Sequence, residues 1–309
     1  MPTDTFRIFR TPHAAHAYLA PAKLNLFLHV NGRRADGYHL LQSLLVLLDY
    51  GDALTIQVRD DGKICRTNNV PNVAEEMDLA IRSAFALKNA SNSPLGADIT
   101  VAKVTPMGAG LGGGSSDAAT VLMALNQLWR CDFSLDELRA IGLTLGADVP
   151  FFIFGQSGFA EGVGEVLTPA TVPAWWYAVA TPDIHVPTPF VFNHPDLTRH
   201  SLPVKILDFS AAILANYQND LQAVVLKAFP SVAASFHALS AVSKKSLFGV
   251  RMTGSGAGHF AAFQTEHEAR AALSAYKQLS LKNTGFVARG LDKHPINLYL
   301  NMKDGAASE

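Results

Sequence analysis

The sequence predicts an α+β protein of two domains, and three observations predict it. A strand pattern at Asp98–Val104 runs into a glycine-rich loop and then into helical spacing. Prolines at 169, 173, 182, 187 and 189 break the pattern after Gly164. Beyond them helix and strand signals resume as a second α+β set. The boundary falls at Thr168–Pro173, giving domains 1–169 and 170–309.

Residues up to about His16 and the tail from about Asn301 carry no pattern and are expected to be mobile ends. Ala17–Val30 reads as a strand. Leu44–Asp49 and Ala53–Val58 read as two more, joined by a turn at Tyr50-Gly51-Asp52. Met77–Lys88 reads as a helix. After the Asp98–Val104 strand and the glycine loop, two helices run to Leu145, the second opened by a capping box at Ser134-Leu135-Asp136-Glu137. In the second half an aromatic strand at Trp175–Ala180 precedes helices at Leu221–Phe229 and Val232–Val242. Strands at Phe248–Thr253 and His259–Phe263, a helix at Glu266–Leu279 and a strand at Phe286–Arg289 complete the set.

The net charge of −1 in 309 residues, with no long run of one sign, leaves no electrostatic footprint for nucleic acid or an acidic membrane. An anionic ligand must be met locally. Cys65 and Cys131 have no metal spacing and no disulfide framework, so both are expected as apolar fillers in a reducing compartment. No basic stretch leads into an apolar core at the N-terminus, and the apolar run at 40–48 is too short to span a bilayer, so the expected location is cytoplasmic.

The most informative stretch is Pro106-Met107-Gly108-Ala109-Gly110-Leu111-Gly112-Gly113-Gly114-Ser115-Ser116-Asp117, with five glycines in seven positions. Glycines let backbone N–H groups approach an anion, and the following helix adds unpaired donors and a positive dipole end. A dinucleotide fingerprint fits Gly108, Gly110 and Gly113, with Asp132 as the ribose acid, but a second helix follows Asp132 where that motif needs a strand. Asp132 is read as a solvated loop acid. A Walker A loop needs a lysine after its last glycine, and Gly114 is followed by Ser115.

Four further segments stand out: PAKLNL at 21–26, RADGYH at 34–39, LGADVP at 145–150 and TGSGAG at 253–258. Each alone has a plain alternative. Lys23 could snorkel from an apolar strand, Asp148 could bond its own turn, and Tyr38-His39 could be a half-exposed hairpin pair. In this order along the chain, however, they resemble the GHMP kinase superfamily of small-molecule kinases over nearly the whole length, and PAKLNL with GYH is similar to one branch of it.

That resemblance implies a ribosomal-protein-S5-like N-terminal domain, a ferredoxin-like C-terminal domain and ligands between them. The implied reaction is ATP-dependent phosphorylation of the tertiary 2-hydroxyl of a cytidine diphosphate-linked methylerythritol, in non-mevalonate isoprenoid biosynthesis. ATP would use the Pro106–Ser116 loop, with Lys103 and Asp78 also on the nucleotide side. Lys23 and Asp148 would be the catalytic pair. Tyr38 and Phe192 would stack on cytosine and His39 would bond its edge, with Asn25 and Thr188 near the substrate. Mg2+ is implied by the triphosphate, with Ser115 or Ser116 offering a hydroxyl ligand, although either could instead cap the helix. At Asp78 the family commonly has Asn, so Asp78 either sits at adenine as a carboxylate that only accepts or simply caps the helix beginning near Leu79. The alternatives are another kinase of the superfamily or a silent nucleotide-binding sensor, and intact Lys23 and Asp148 argue against the sensor.

Overall fold

Two long antiparallel strands, β1 (His16–Arg33) and β2 (His39–Arg59), form the spine of the molecule. In the computed structural model, residues 15–205, 209–280 and 282–297 are described; the unpatterned tail from Asn301 lies outside them, as do residues 1–14. β2 is one strand where the sequence predicts two. Tyr50-Gly51-Asp52 does not turn, because β2 carries the extra residues of a bulge: Pro21 faces Gly51, while Lys23 faces Leu47. Glycine is needed at 51 for close approach, since a Cβ there would lie 1.9 Å from the Ala20 carbonyl oxygen.

β3 (Ile64–Arg66) and α1 (Leu79–Ser91) precede β4 (Gly96–Ala102), which pairs with both β2 and β3. The glycine loop then leads into α2 (Gly113–Leu128), followed by α3 (Leu135–Leu145) and α4 (Val149–Phe154). The capping box at Ser134 and Glu137 forms as predicted, and Asp132 is an exposed turn residue with φ of 57°. Both cysteines are half-buried and free, with Cys131 packed at the edge of the α1–α2 core. β5 (Gly158–Glu161) pairs with β2 on the edge opposite β1, the edge that β4 also uses, and β6 (Val166–Pro169) pairs with β5.

The second half begins with β7 (Trp176–Ala180) and α5 (Thr188–Asn193), then α6 (Ala211–Leu214), α7 (Gln222–Ala228) and α8 (Pro230–Val242). β8 (Val250–Met252), β9 (His259–Phe263), α9 (Glu266–Leu279) and β10 (Gly285–Leu291) complete it. Its strands lie in the order β10-β7-β9-β8, the split β-α-β-β-α-β arrangement of a ferredoxin-like layer. Side chains alternate across β7. Ala178 and Ala180 face α8 and α9, whereas Tyr177 and Val179 join a core shared with Leu24, Leu26 and Val46 of the spine. This explains why the strand reads as uninterruptedly apolar: both faces are covered. Gly290 and Leu291 pair with Leu48 and Leu47, which stitches the two halves into one sheet path. Among the described residues no single helix is long and apolar enough to cross a membrane.

Candidate active site

The glycine loop crosses from β4 to α2 and is pressed against the turn after β8. Gly110 has φ of 71°, and a Cβ on it would lie 2.3 Å from the Thr253 carbonyl oxygen. Gly112, at φ of 72°, is the N-cap of α2, and a Cβ there would meet Phe152 at 2.8 Å and Lys23 Cγ at 3.2 Å. The loop therefore owes its shape to backbone that only glycine allows. α2 starts at Gly113, earlier than the apolar spacing suggests, and no side chain caps it. Neither serine is a cap. The N–H groups of the first turn have no acceptor within the helix and are free for an anion.

Two chambers meet at this loop. The smaller, about 280 Å³, is walled by Leu79, Lys103, Thr105 and the whole run 106–115. The larger, about 640 Å³, takes in Lys23, Asn25, Tyr38, His39, Asp148, Thr188 and Phe192. Gly108, Gly110 and Ser115 belong to both. Ser116 is fully buried, with its hydroxyl unpartnered, and faces neither chamber.

Lys23 is 3 % exposed on β1, so it does not snorkel. Its Nζ lies 3.6 Å from Asp148 Oδ2 and donates to Asn25 Oδ1 at 2.6 Å. The orientation of the Asn25 amide follows from its other partner. Ser43 Oγ spends its proton on the Phe27 carbonyl at 2.6 Å and so accepts from Asn25 Nδ2 at 2.8 Å, which turns the amide oxygen to Lys23. Asn25 lines the larger chamber, and its side chain is held between Lys23 and Ser43. Asp148 stands at the N-cap of α4 and makes no capping hydrogen bond. Its carboxylate is about half exposed to the cleft.

Across the larger chamber Tyr38 is 65 % exposed at the β1–β2 turn, while His39 is buried and its ring lies 5.1 Å from Phe192. Burial, and then the charges of Arg199 and Arg33, hold the His39 pKa below its ordinary value. Thr188 shares a 2.7 Å hydrogen bond with Ser255 of the turn after β8. Ser255 and Gly254 also line the chamber. TGSGAG is visible in the sequence, but its pattern does not reveal that it faces the glycine loop.

Two residues assigned to the nucleotide from sequence have other partners. Asp78 accepts from Ala80 N at 3.0 Å and from Arg66 at 2.9 Å, so it caps α1 and is paired in the interior; it lines neither chamber. Both carboxylate oxygens are thus committed away from any base. Lys103 does line the smaller chamber, but its ammonium is clasped by Asp52 at 2.5 Å and Asp117 at 2.8 Å. Burial opposes the charge on Lys103, and the carboxylates of Asp117 and Asp52 outweigh it, raising the pKa. One ammonium does not neutralise two buried carboxyls, and burial pushes Asp117 up to about 8.

The family model for the GHMP kinases N terminal domain matches residues 78–156, and that for the GHMP kinases C terminal matches residues 205–280. With both matched in order on this fold, the class is settled: this is a small-molecule kinase of the GHMP type. A 4-diphosphocytidyl-2-C-methyl-D-erythritol kinase of Thiobacillus denitrificans is 50% identical over 282 residues, which cover 91% of this chain and 98% of that protein. Its counterpart in Burkholderia ambifaria is 49% identical over 285 residues, covering 90% and 94%. The chain belongs to the 4-diphosphocytidyl-2-C-methyl-D-erythritol kinase family. A crystal structure of 4-(cytidine 5'-diphospho)-2C-methyl-D-erythritol kinase matches at a TM-score of 0.75 and 34% identity, covering 89% of this chain and 98% of that one. A homoserine kinase from Cytophaga hutchinsonii shares the fold alone, at 17% identity and a TM-score of 0.63 over 93% of this chain and 98% of its own.

Proposed function

We propose that the cleft transfers the γ-phosphoryl group of ATP to the 2-hydroxyl of 4-diphosphocytidyl-2-C-methyl-D-erythritol, giving the 2-phosphate and ADP. The observation that carries this reading is the Lys23–Asp148 pair beside the junction of two chambers, one walled by backbone donors and the other by aromatic rings. ATP lies along the glycine loop in this reading. The cytosine lies between Tyr38 and Phe192, with His39 at its edge.

Phosphoryl transfer is mainly positioning and charge stabilisation, so the unpaired N–H groups of the loop and the first turn of α2 supply the main effect. Asp148 accepts the proton of the attacking hydroxyl as the new P–O bond forms. Lys23, held by Asn25, sets its positive charge beside that carboxylate and offsets charge on the transferring group. Mg2+ takes hard oxygen ligands and few protein ones when a triphosphate is present. Among the described residues no three His, Cys, Asp or Glu side chains converge as a metal cage. The Ser115 hydroxyl, open to both chambers, fits such a sparse site, and the inward-facing Ser116 does not. With the triphosphate, the ion would offset charge on the β- and γ-oxygens.

The test is ADP release with the cytidine diphosphate substrate, with free methylerythritol and with neither. Turnover confined to the first supports the assignment. Equal turnover with free methylerythritol would remove the aromatic chamber from substrate recognition.

A further inference from the structure

His39 and Phe192 reach the cleft from β2 and α5, and one side chain outside the cleft holds both. Arg199 Nε donates to His39 Nε2 at 3.1 Å, and its Nη2 donates to the carbonyls of Phe192 at 3.0 Å and His194 at 2.9 Å. Its Nη1 donates to the Leu197 carbonyl at 3.1 Å. A guanidinium can donate but never accept, so the imidazole nitrogen that faces it is bare and the other carries the proton. The contact also sets the orientation of the ring, since the flipped imidazole would turn a C–H to the Arg199 donor.

We propose that Arg199 is a positioning residue that fixes the tautomer of His39 and thereby the pyrimidine the slot accepts. The inference rests on the reading of the larger chamber as a cytidine site. With one nitrogen taken by Arg199, the only polar group His39 has left is a single N–H donor. Cytosine offers an acceptor at N3, which suits that donor. Uracil carries a hydrogen at N3, and two donors face to face repel. Without Arg199 the ring is free to present a bare nitrogen, which uracil could use, so discrimination arises from a repulsion that Arg199 maintains. Nothing in the local sequence around Thr198-Arg199-His200 signals this role. The arginine acts through a partner 160 positions away.

The first test needs no variant. Nitrogen-15 NMR of the wild-type chain should show His39 neutral, with the nitrogen facing Arg199 unprotonated; a proton on that nitrogen overturns the proposal. Arg199→Met should mix the tautomers, raise KM for the cytidylyl substrate about tenfold, leave KM for ATP unchanged and shrink the preference over the uridine diphosphate analogue. In a His39→Ala background the same substitution should have little further effect on KM, because the route is through His39. A KM effect of equal size in both backgrounds, with discrimination unmoved, would make Arg199 a structural clamp only. Should the Met variant not fold, Arg199→Lys keeps a donor for the ring and should preserve the tautomer. The two levels fail differently: if His39→Ala leaves KM for the cytidylyl substrate unchanged, the cytidine slot is wrong, whereas an effect of His39→Ala without one of Arg199→Met sinks the Arg199 proposal alone.

Discussion

The two chambers of the cleft are built by opposite means. The smaller chamber is backbone, a contiguous run at 106–115 locked against a second glycine-rich turn at 253–258. The aromatic side is side chains, with Tyr38 and His39 delivered by the β1–β2 turn, Thr188 and Phe192 by α5, and Arg199 binding them from behind. Backbone donors can be aimed at a phosphate only where side chains are missing, so such a site must appear in sequence as a glycine run. Side chains that recognise a base need only converge in space, and they leave no run.

Asp148 stands where the two sides meet, and changing it should have the largest effect. Asp148→Asn keeps the shape and removes the proton acceptor, so kcat should fall at least about 100-fold while KM for ATP stays put. Stopped-assay ADP release measures both. Near-normal turnover would take Asp148 out of the chemistry.

The comparison itself is tested by one substitution on each side. Gly113→Ala, at a position that lines the smaller chamber alone, drives a Cβ to 2.9 Å from Thr105 Cγ2, which costs about 1–3 kcal/mol and should raise KM for ATP roughly 5- to 150-fold. Tyr38→Ala removes a stacking face worth about 1–3 kcal/mol and should raise KM for the cytidylyl substrate by a similar factor. Each variant should leave the other ligand alone. If Gly113→Ala weakens the cytidylyl substrate or Tyr38→Ala weakens ATP, the chambers have been assigned the wrong way round.

The same contrast explains what could be read from the sequence. The glycine loop, the capping box at Ser134, β9 and α9 all follow from local pattern, and the structure has them where the pattern puts them. The turn at Tyr50-Gly51-Asp52 fails because Gly51 answers to Ala20 on a neighbouring strand, a contact no local signal carries. The resemblance places Asn25 near the substrate, and its hydrogen bonds to Lys23 and Ser43 are contacts the local pattern does not carry. The roles of Arg199, Ser255 and Arg66 come from tertiary contacts alone.

Asp78 sharpens the point, because the sequence leaves it between an adenine contact and a helix cap, and the structure shows the cap and a pair with Arg66. Asp78→Asn keeps an acceptor for Ala80 N–H but removes the charge facing Arg66, which should cost about 1–3 kcal/mol in thermal or urea unfolding. The ratio of kcat/KM for ATP to that for GTP should not move. A shift of that ratio towards ATP would return Asp78 to the nucleotide.

The smallest effect tests whether the backbone-built side also depends on side chains beneath it. Asp52, Lys103 and Asp117 form a buried cluster under the loop, and with a single ammonium between two carboxyls burial pushes Asp117 up to about 8 from an ordinary 3.8. The stability contributed by its proton is fully present below about pH 3.8 and is lost as pH rises through about 8. Asparagine matches the protonated form and still accepts from Lys103. Asp117→Asn has no proton to lose and should therefore match wild type, within about 0.5 kcal/mol, only near or below about pH 3.8. Above that pH the variant should pull ahead, gaining about 1 kcal/mol, or 2–4 °C in Tm, between about pH 7 and pH 8. Melting curves of both proteins across that range measure the gain. If the asparagine variant is instead less stable by an amount that stays constant from mildly acid to mildly alkaline pH, Asp117 is ionised in the native state and its pair with Lys103 is a full salt bridge holding the loop.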